Sequence, residues 1–172
     1  VSDGTGEGLR KAFERATTAG GDAGRRVVDE RVRVLSFTLG GEWYAFRLEE
    51  LVEVAGGQEP TPIPFAPAHV QGVVNHRGAI VPVVDLRKVF GLPASYRREM
   101  GRMVIVRHED DVLAFSADAI SDVVAIDLTK LEPPLATMEP ARARYLEGCL
   151  RLDRGILVLL SARTLVEGLK AS

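Results

Sequence analysis

The chain has 172 residues, enough for one ordinary domain or for two small barrels sharing an interface, and too few for two independent domains of usual size. With 46% apolar and 27% charged residues it has the composition of a globular protein and not of a disordered one. Lys and Arg number 22 against 24 Asp and Glu, and the resulting formal charge of -2 gives no long-range attraction for nucleic acid or an anionic membrane.

Residues 1 to 31 read as a flexible N-terminal extension, rich in Gly, Ala, Thr and charge. Within it Leu9, Ala12, Phe13 and Ala16 fall at i, i+3, i+4 and i+7, a single helical stripe between Gly8 and Ala19 that is marginal alone in water. The glycines of "GTGEG" do not form a dinucleotide loop, because no strand precedes them.

From Val32 onward, residues 32 to 172 form the expected folded domain, and the texture changes to short β-type runs broken by turn signals. Strands are expected near 33–39, 43–47, 50–56, 70–75, 79–84, 102–107, 112–117, 120–126, 145–152 and 155–160. Gly40-Gly41, Arg77-Gly78, Glu109 to Asp111 and Arg154-Gly155 sit where hairpins must reverse. The prolines of "EPTPIPFAP" remove amide donors, so this stretch reads as an extended connection outside the ladders. Asp85 can cap a short helix over Leu86 to Phe90 that Gly91 ends, and Ser161 can cap Ala162 to Glu167, with Gly168 ending it. The longest apolar runs, such as Ile156 to Leu160, fall far short of the roughly 18 residues a membrane span needs. Alternation places Leu51 and Glu53 on one face of their strand and Val52 and Val54 on the other.

The chain also repeats itself. "YAFRLEELVEV" (44–54) aligns without gaps on "LAFSADAISDV" (113–123), pairing Phe46 with Phe115, Leu51 with Ile120, Glu53 with Asp122 and Val54 with Val123. "GVVNHRG" (72–78) then pairs with "GCLRLDRG" (148–155), allowing one inserted residue, and "VPVVDLRKVF" (81–90) with "LVLLSARTLV" (157–166). Two similar β units, each with an Arg-Gly hairpin tip followed by a strand and a helix, make up an all-β protein with short helices.

A search for catalytic chemistry is mostly empty. His69, His76 and His108 stand far apart, with no spacing that places two imidazoles on one metal, and "HEDD" (108–111) occupies an expected turn where solvated charge belongs. No phosphate-cradling Gly-Lys-Ser/Thr loop or nucleophile elbow occurs. Cys149, the single cysteine, lies in a strand-like run, has no companion for a disulfide or zinc, and reads as a buried core thiol in a reducing compartment. What remains are polar groups that the fold does not require. Glu53 fits either the solvated side of a sheet or a contact, and Arg77 fits either a solvated tip or bidentate capture of a partner's carboxylate.

"LSFTLGGEWYAFRLEELVEV", "IPFAPAHVQGVVNHRGAIVPVVDLRKVFGL" and "AFSADAISDVVAI" resemble the CheW family of bacterial chemotaxis adaptors, from about Arg33 to about Leu169. Its most specific signature is the Gly-x-x-Asn-x-Arg-Gly-x-x-x-Pro-x-x-Asp-Leu-Arg string, Gly72 to Arg87. The resemblance implies a CheW-like fold of two packed five-stranded SH3-like β-barrels with short helices, no enzymatic activity, no cofactor and no metal. It also implies a cytoplasmic protein, recruited to membrane-associated receptor arrays. The implied partners are the regulatory domain of a CheA-type histidine kinase and the cytoplasmic tip of a chemoreceptor, with no nucleic acid and no direct membrane insertion. By motif position Glu53 and Arg77 belong to partner-coupling surfaces with Leu51 beside them, and Gly72, Ile120 and Val123 fall at receptor-coupling positions. The apolar pair would supply a groove for a helical hairpin. Asn75 and His76 complete the tip.

Two features depart from the family pattern. His76 stands where Leu is usual in Asn-Leu-Arg-Gly, and the extension before Val32 is longer than a minimal adaptor requires. The rival readings are a CheW-like domain from a longer CheA or CheV protein, and a β-barrel module that binds nucleic acid or a small ligand.

Overall fold

The computed structural model describes residues 30–56, 58–94 and 101–171. The stripe between Gly8 and Ala19, and nearly all of the expected extension, lie outside them. In chain order the elements are β1 (Arg31–Leu39), β2 (Glu42–Arg47), β3 (Leu51–Ala55), β4 (Val70–His76), β5 (Ala79–Val84), α1 (Leu86–Val89), β6 (Arg102–His108), β7 (Asp111–Ala117), β8 (Ala119–Asp127), α2 (Pro140–Ala143), β9 (Leu146–Leu152), β10 (Gly155–Leu160) and α3 (Ala162–Lys170). Single 3-10 turns at Leu48–Glu50 and Leu128–Lys130 follow β2 and β8.

The strands form two five-stranded sheets of SH3-like barrel type, in the orders β8-β1-β2-β10-β9 and β3-β6-β7-β5-β4. Under the internal repeat these two orders are the same order. Each repeat gives its first two strands to one barrel and its last three to the other, so neither barrel is built from a single repeat. The two contributions meet at equivalent joints, the parallel pairs β2–β10 and β5–β7 and the antiparallel pairs β1–β8 and β3–β6.

The expected strands thus appear, and their apolar runs have a physical reason: many are buried on both faces. Val34, Ala45, Ile126, Leu150, Leu157 and Leu159 fill the first barrel, and Val74, Val81, Val83, Met103, Ile105 and Ala114 fill the second. The alternate residues, including Phe37, Tyr44, Phe46, Val104, Phe115, Val158 and Leu160, turn the other way into a third cluster between the barrels. The buried residues of the barrel interiors are all non-aromatic, while the space between the barrels takes the buried rings. Phe46 and Phe115, equivalent in the repeat, stack there with centroids 5.5 Å apart, and Phe37 lies 5.7 Å from Phe46. Tyr44 stacks on Phe90 at 5.6 Å. The Arg142 guanidinium, carried by α2, lies 5.5 Å from both the Tyr44 and the Phe90 ring centroids and donates to Glu42 and the Tyr44 hydroxyl.

Three local expectations need correction. Gly168 does not end the last helix, which runs to Lys170; a side chain at 168 would press on the Tyr145 ring, so close packing explains this glycine. The proline-rich connection is not wholly outside the ladders, because Thr61 exchanges both backbone hydrogen bonds with Val73, at 2.8 and 2.9 Å. Glu132 does the same with Cys149 on the other barrel. Leu51 and Glu53 do not share a face: Leu51 lies opposite Val106 and Glu53 opposite Ile105, making Val52 the extra residue of a β-bulge. Leu51 and Val54 therefore pack on the central cluster, and Val52 and Ala55 on the second barrel's interior.

The crossing from β2 to β3 is held by a half-buried carboxylate. Glu50 accepts from the Ala162 N–H at the start of α3 (3.1 Å) and from the Arg47 N–H (3.3 Å), while the Arg47 side chain pairs with Glu147 at 2.5 Å. Burial pushes the Glu50 pKa up from 4.5 to about 7; the two N–H donors and Arg47 pull it down, and Glu147 pushes it further up.

Two outcomes are expected. Phe46→Ala and Phe115→Ala should each cost about 3–5 kcal/mol in urea unfolding, and the double variant should lose less than the sum because the two rings share one contact. The folded state holds the Glu50 proton more tightly than the unfolded chain. Its contribution to stability is therefore complete below about pH 4.5 and is lost as the pH rises through about 7. Melting temperatures measured across that window should fall with pH in the wild type, and this component should vanish in Glu50→Gln.

Candidate functional site

The β4–β5 hairpin reverses through Arg77 and Gly78, with φ of 51° and 84°, the left-handed pair of a type I′ turn. Asn75 shapes it by accepting the Gly78 N–H on Oδ1 at 2.9 Å. From this tip Arg77 reaches back to β3, where its Nη2 donates to Glu53 Oε2 at 2.7 Å. His76 Nε2 lies 3.5 Å from the same oxygen. Glu53, Asn75, His76 and Arg77 thus come together at one end of the second barrel. Arg77 is 77% exposed and Glu53 35%, so their pair contributes little to stability and leaves most guanidinium donors to solvent.

The apolar candidates go elsewhere. Ile120 and Val123 are half-buried on β8, opposite Phe37 and Leu35, and both pack against the central cluster. Their strand repeats the β3 bulge. At this site the Ser36 hydroxyl, a buried polar group, donates to the Asp122 carbonyl at 2.9 Å and accepts its N–H at 3.3 Å. Leu51 is 9% exposed and serves the core. Gly72 is buried with φ of 148°, and a Cβ there would overlap the Thr61 carbonyl. Gly148, its repeat partner, admits Glu132 in the same way. Gly72 therefore acts through the backbone approach it permits.

The structure also brings forward residues that were not singled out. Ile80, opposite Asn75 in the hairpin, is 66% exposed; its repeat partner Ile156 is 36% exposed. Arg154 of the other Arg-Gly tip, one turn position beyond the structural equivalent of Arg77, and Asp122, the repeat partner of Glu53, stand 4.0 Å apart at the end of the first barrel, with the guanidinium 4.7 Å from the Trp43 ring centroid. The repeat alignment contained the signal for both: an apolar residue beside each Arg-Gly tip and an acid on each facing strand. The signature's Arg87 proves structural, pairing with Asp118, which also accepts the Gly40 N–H at 2.8 Å. The acidic turn after β6 is engaged with α3 through Asp111–Lys170 at 2.5 Å and His108–Glu167 at 3.3 Å. Cys149 is buried, and burial pushes its thiol up, away from the thiolate a nucleophile requires.

Residues 33–170 match the family model described as the CheW-like domain, and the chain belongs to that family. It is 31% identical to the chemotaxis protein CheW of Treponema pallidum (strain Nichols) over 143 residues, covering 81% of this chain and 84% of that one. It is 30% identical to the chemotaxis protein CheW of Helicobacter pylori (strain ATCC 700392 / 26695), over 76% of this chain and 79% of that one. Among solved structures it resembles the scaffolding protein TtCheW from Thermoanaerobacter tengcongensis with a TM-score of 0.68 and 28% identity, covering 76% of this chain and 88% of that one. The chain is a scaffolding adaptor of the chemotaxis type. No helix among the described residues is long and apolar enough to cross a membrane.

Thermal or urea unfolding should separate the two kinds of site residue. Gly72→Ala should destabilise by about 1–3 kcal/mol, because it strains the backbone and displaces Thr61. Arg77→Ala should change stability by no more than about 0.5 kcal/mol.

Proposed function

We propose that this chain couples the regulatory domain of a CheA-type histidine kinase to the cytoplasmic tip of a chemoreceptor. It works as a non-catalytic cytoplasmic adaptor recruited to membrane-associated arrays. Its working unit is the folded domain, which begins one residue before the expected Val32, because Arg31 already pairs with Asp127, and the residues before it are an extension. The polar tip of Glu53, Asn75, His76 and Arg77, with Ile80 beside it, is one docking surface. Ile120 and Val123, half-buried over the seam between the barrels, offer apolar ground for a helical partner, while Leu51 and Gly72 hold these surfaces in place.

One observation carries this reading. The chain keeps an arginine at φ 51°, in a turn position where Asn or Gly fits with less strain, and holds it in solvent by a single carboxylate from another strand. The barrels need no such group, whereas a partner carboxylate finds in it a positioned fork of donors. Local strain together with exposure is the pattern of a contact kept for something outside the fold.

Calorimetric titration with a kinase regulatory domain, and separately with a receptor-tip protein, tests the reading. Arg77→Ala and Glu53→Arg, each shown to be folded, should weaken binding to at least one partner by about 1–3 kcal/mol. Unchanged affinities in both variants would remove the tip from the docking surface. Absence of wild-type binding to either partner would refute the coupling itself.

A further inference from the structure

His76 Nε2 is buried and has no hydrogen-bond partner, yet it lies 3.5 Å from Glu53 Oε2. That oxygen already receives the Arg77 guanidinium at 2.7 Å. One carboxylate oxygen therefore faces two groups able to carry positive charge, His76 with 14% of its side chain exposed and Arg77 with 77%. An unsatisfied buried nitrogen is costly, and a charge-assisted contact with Glu53 would remove that cost.

We propose that His76 sets the charge of the docking tip: once protonated, it takes Glu53 and frees the Arg77 guanidinium to bind a carboxylate on the partner. The inference rests on the docking surface proposed above. The charged groups facing His76 are Glu53 from β3 and Arg77 from its own hairpin, while the Asn75 side chain is engaged by Gly78. With a neutral imidazole, Glu53 and Arg77 cancel. With an imidazolium the three groups carry a single net positive charge. Histidine is the side chain whose ordinary titration falls in the physiological range, and a charge-assisted N–H···O contact forms at about 2.7–2.9 Å. A movement of less than about 1 Å would therefore close the present gap. Glu53 would then be held from the buried side, and Arg77, whose side chain is already largely exposed at the turn, would swing outward. The partner contact that gains from this is an acidic side chain.

The first arm of the test needs no partner. In the full chain, the His76 ring, the Arg77 Nε–H and the Glu53 carboxyl carbon are followed by NMR from about pH 5.5 to about pH 8.5. The Arg77 and Glu53 signals should move with the midpoint of His76, and that movement should vanish in His76→Leu. Signals indifferent to the His76 titration would overturn the proposal. In the second arm a kinase regulatory domain is titrated at several pH values against wild type, His76→Leu and His76→Gln. Wild-type affinity should rise about tenfold between about pH 8 and about pH 6, and both variants should lack that rise. A wild-type affinity that stays flat or falls, or a rise that persists in both variants, would overturn it. If nothing binds at any pH the coupling reading fails, and the partner-free arm still decides whether His76 controls the tip.

Discussion

The stacked rings of Phe46 and Phe115 hold the rest of the structure in place. They are equivalent residues of an internal repeat, they meet at 5.5 Å between the barrels, and each lies on a strand whose other face lines a barrel interior. Because β2 and β7 serve two cores at once, neither barrel can close without shaping the surface on which the other packs. The exchange of strands between repeats strengthens this coupling, since the chain leaves the first barrel after β2 and returns at β8. Dense packing of this kind is stiff and tolerates few alternatives.

Stiffness matters to a scaffold, which acts by fixing the distance between the things it binds. Here the polar tip belongs to the second barrel, and the Ile120–Val123 ground lies on the edge strand of the first. Both rest on the central cluster: Val123 and Ile120 directly, and Glu53 through the bulge that parts it from Leu51. Around the seam, charged groups tie elements that are distant in sequence. Glu50 reaches the start of α3, Arg87 reaches Asp118, and Arg142 lies over Tyr44 and Phe90. Energy spent on a preorganised surface is recovered when a partner docks without reordering it.

Much of this was legible in the sequence. The strands, the hairpin tips and the Asp85 and Ser161 caps follow from alternation and turn chemistry, and the repeat followed from direct comparison of the two halves. Exchange of strands between repeats was not legible, because a strand has the same local pattern whichever sheet it joins. The bulge at Val52 escaped for a related reason: strict alternation put Leu51 beside Glu53, but only the register against β6 reveals the extra residue. Gly72 shows the same limit, since its need for empty space comes from Thr61, which the chain lays across it from a proline-rich stretch with no strand signal. At the tip, the gathering of Glu53, His76 and Arg77 on one oxygen required the fold. The alignment of Arg77 with Arg154, and of Glu53 with Asp122, pointed only to the fact that two such tips exist.

The central claim is that the two barrels form one cooperative body, and native-state hydrogen exchange tests it most directly. Amides of β1 and β2 in the first barrel and of β6 and β7 in the second should exchange through a common global opening, with the same free energy and the same dependence on denaturant. A clear gap, with one barrel's amides exchanging through an opening that leaves the other protected, would contradict the account. The protein would then be two modules joined by a seam, and the spacing of the proposed docking surfaces would not be fixed.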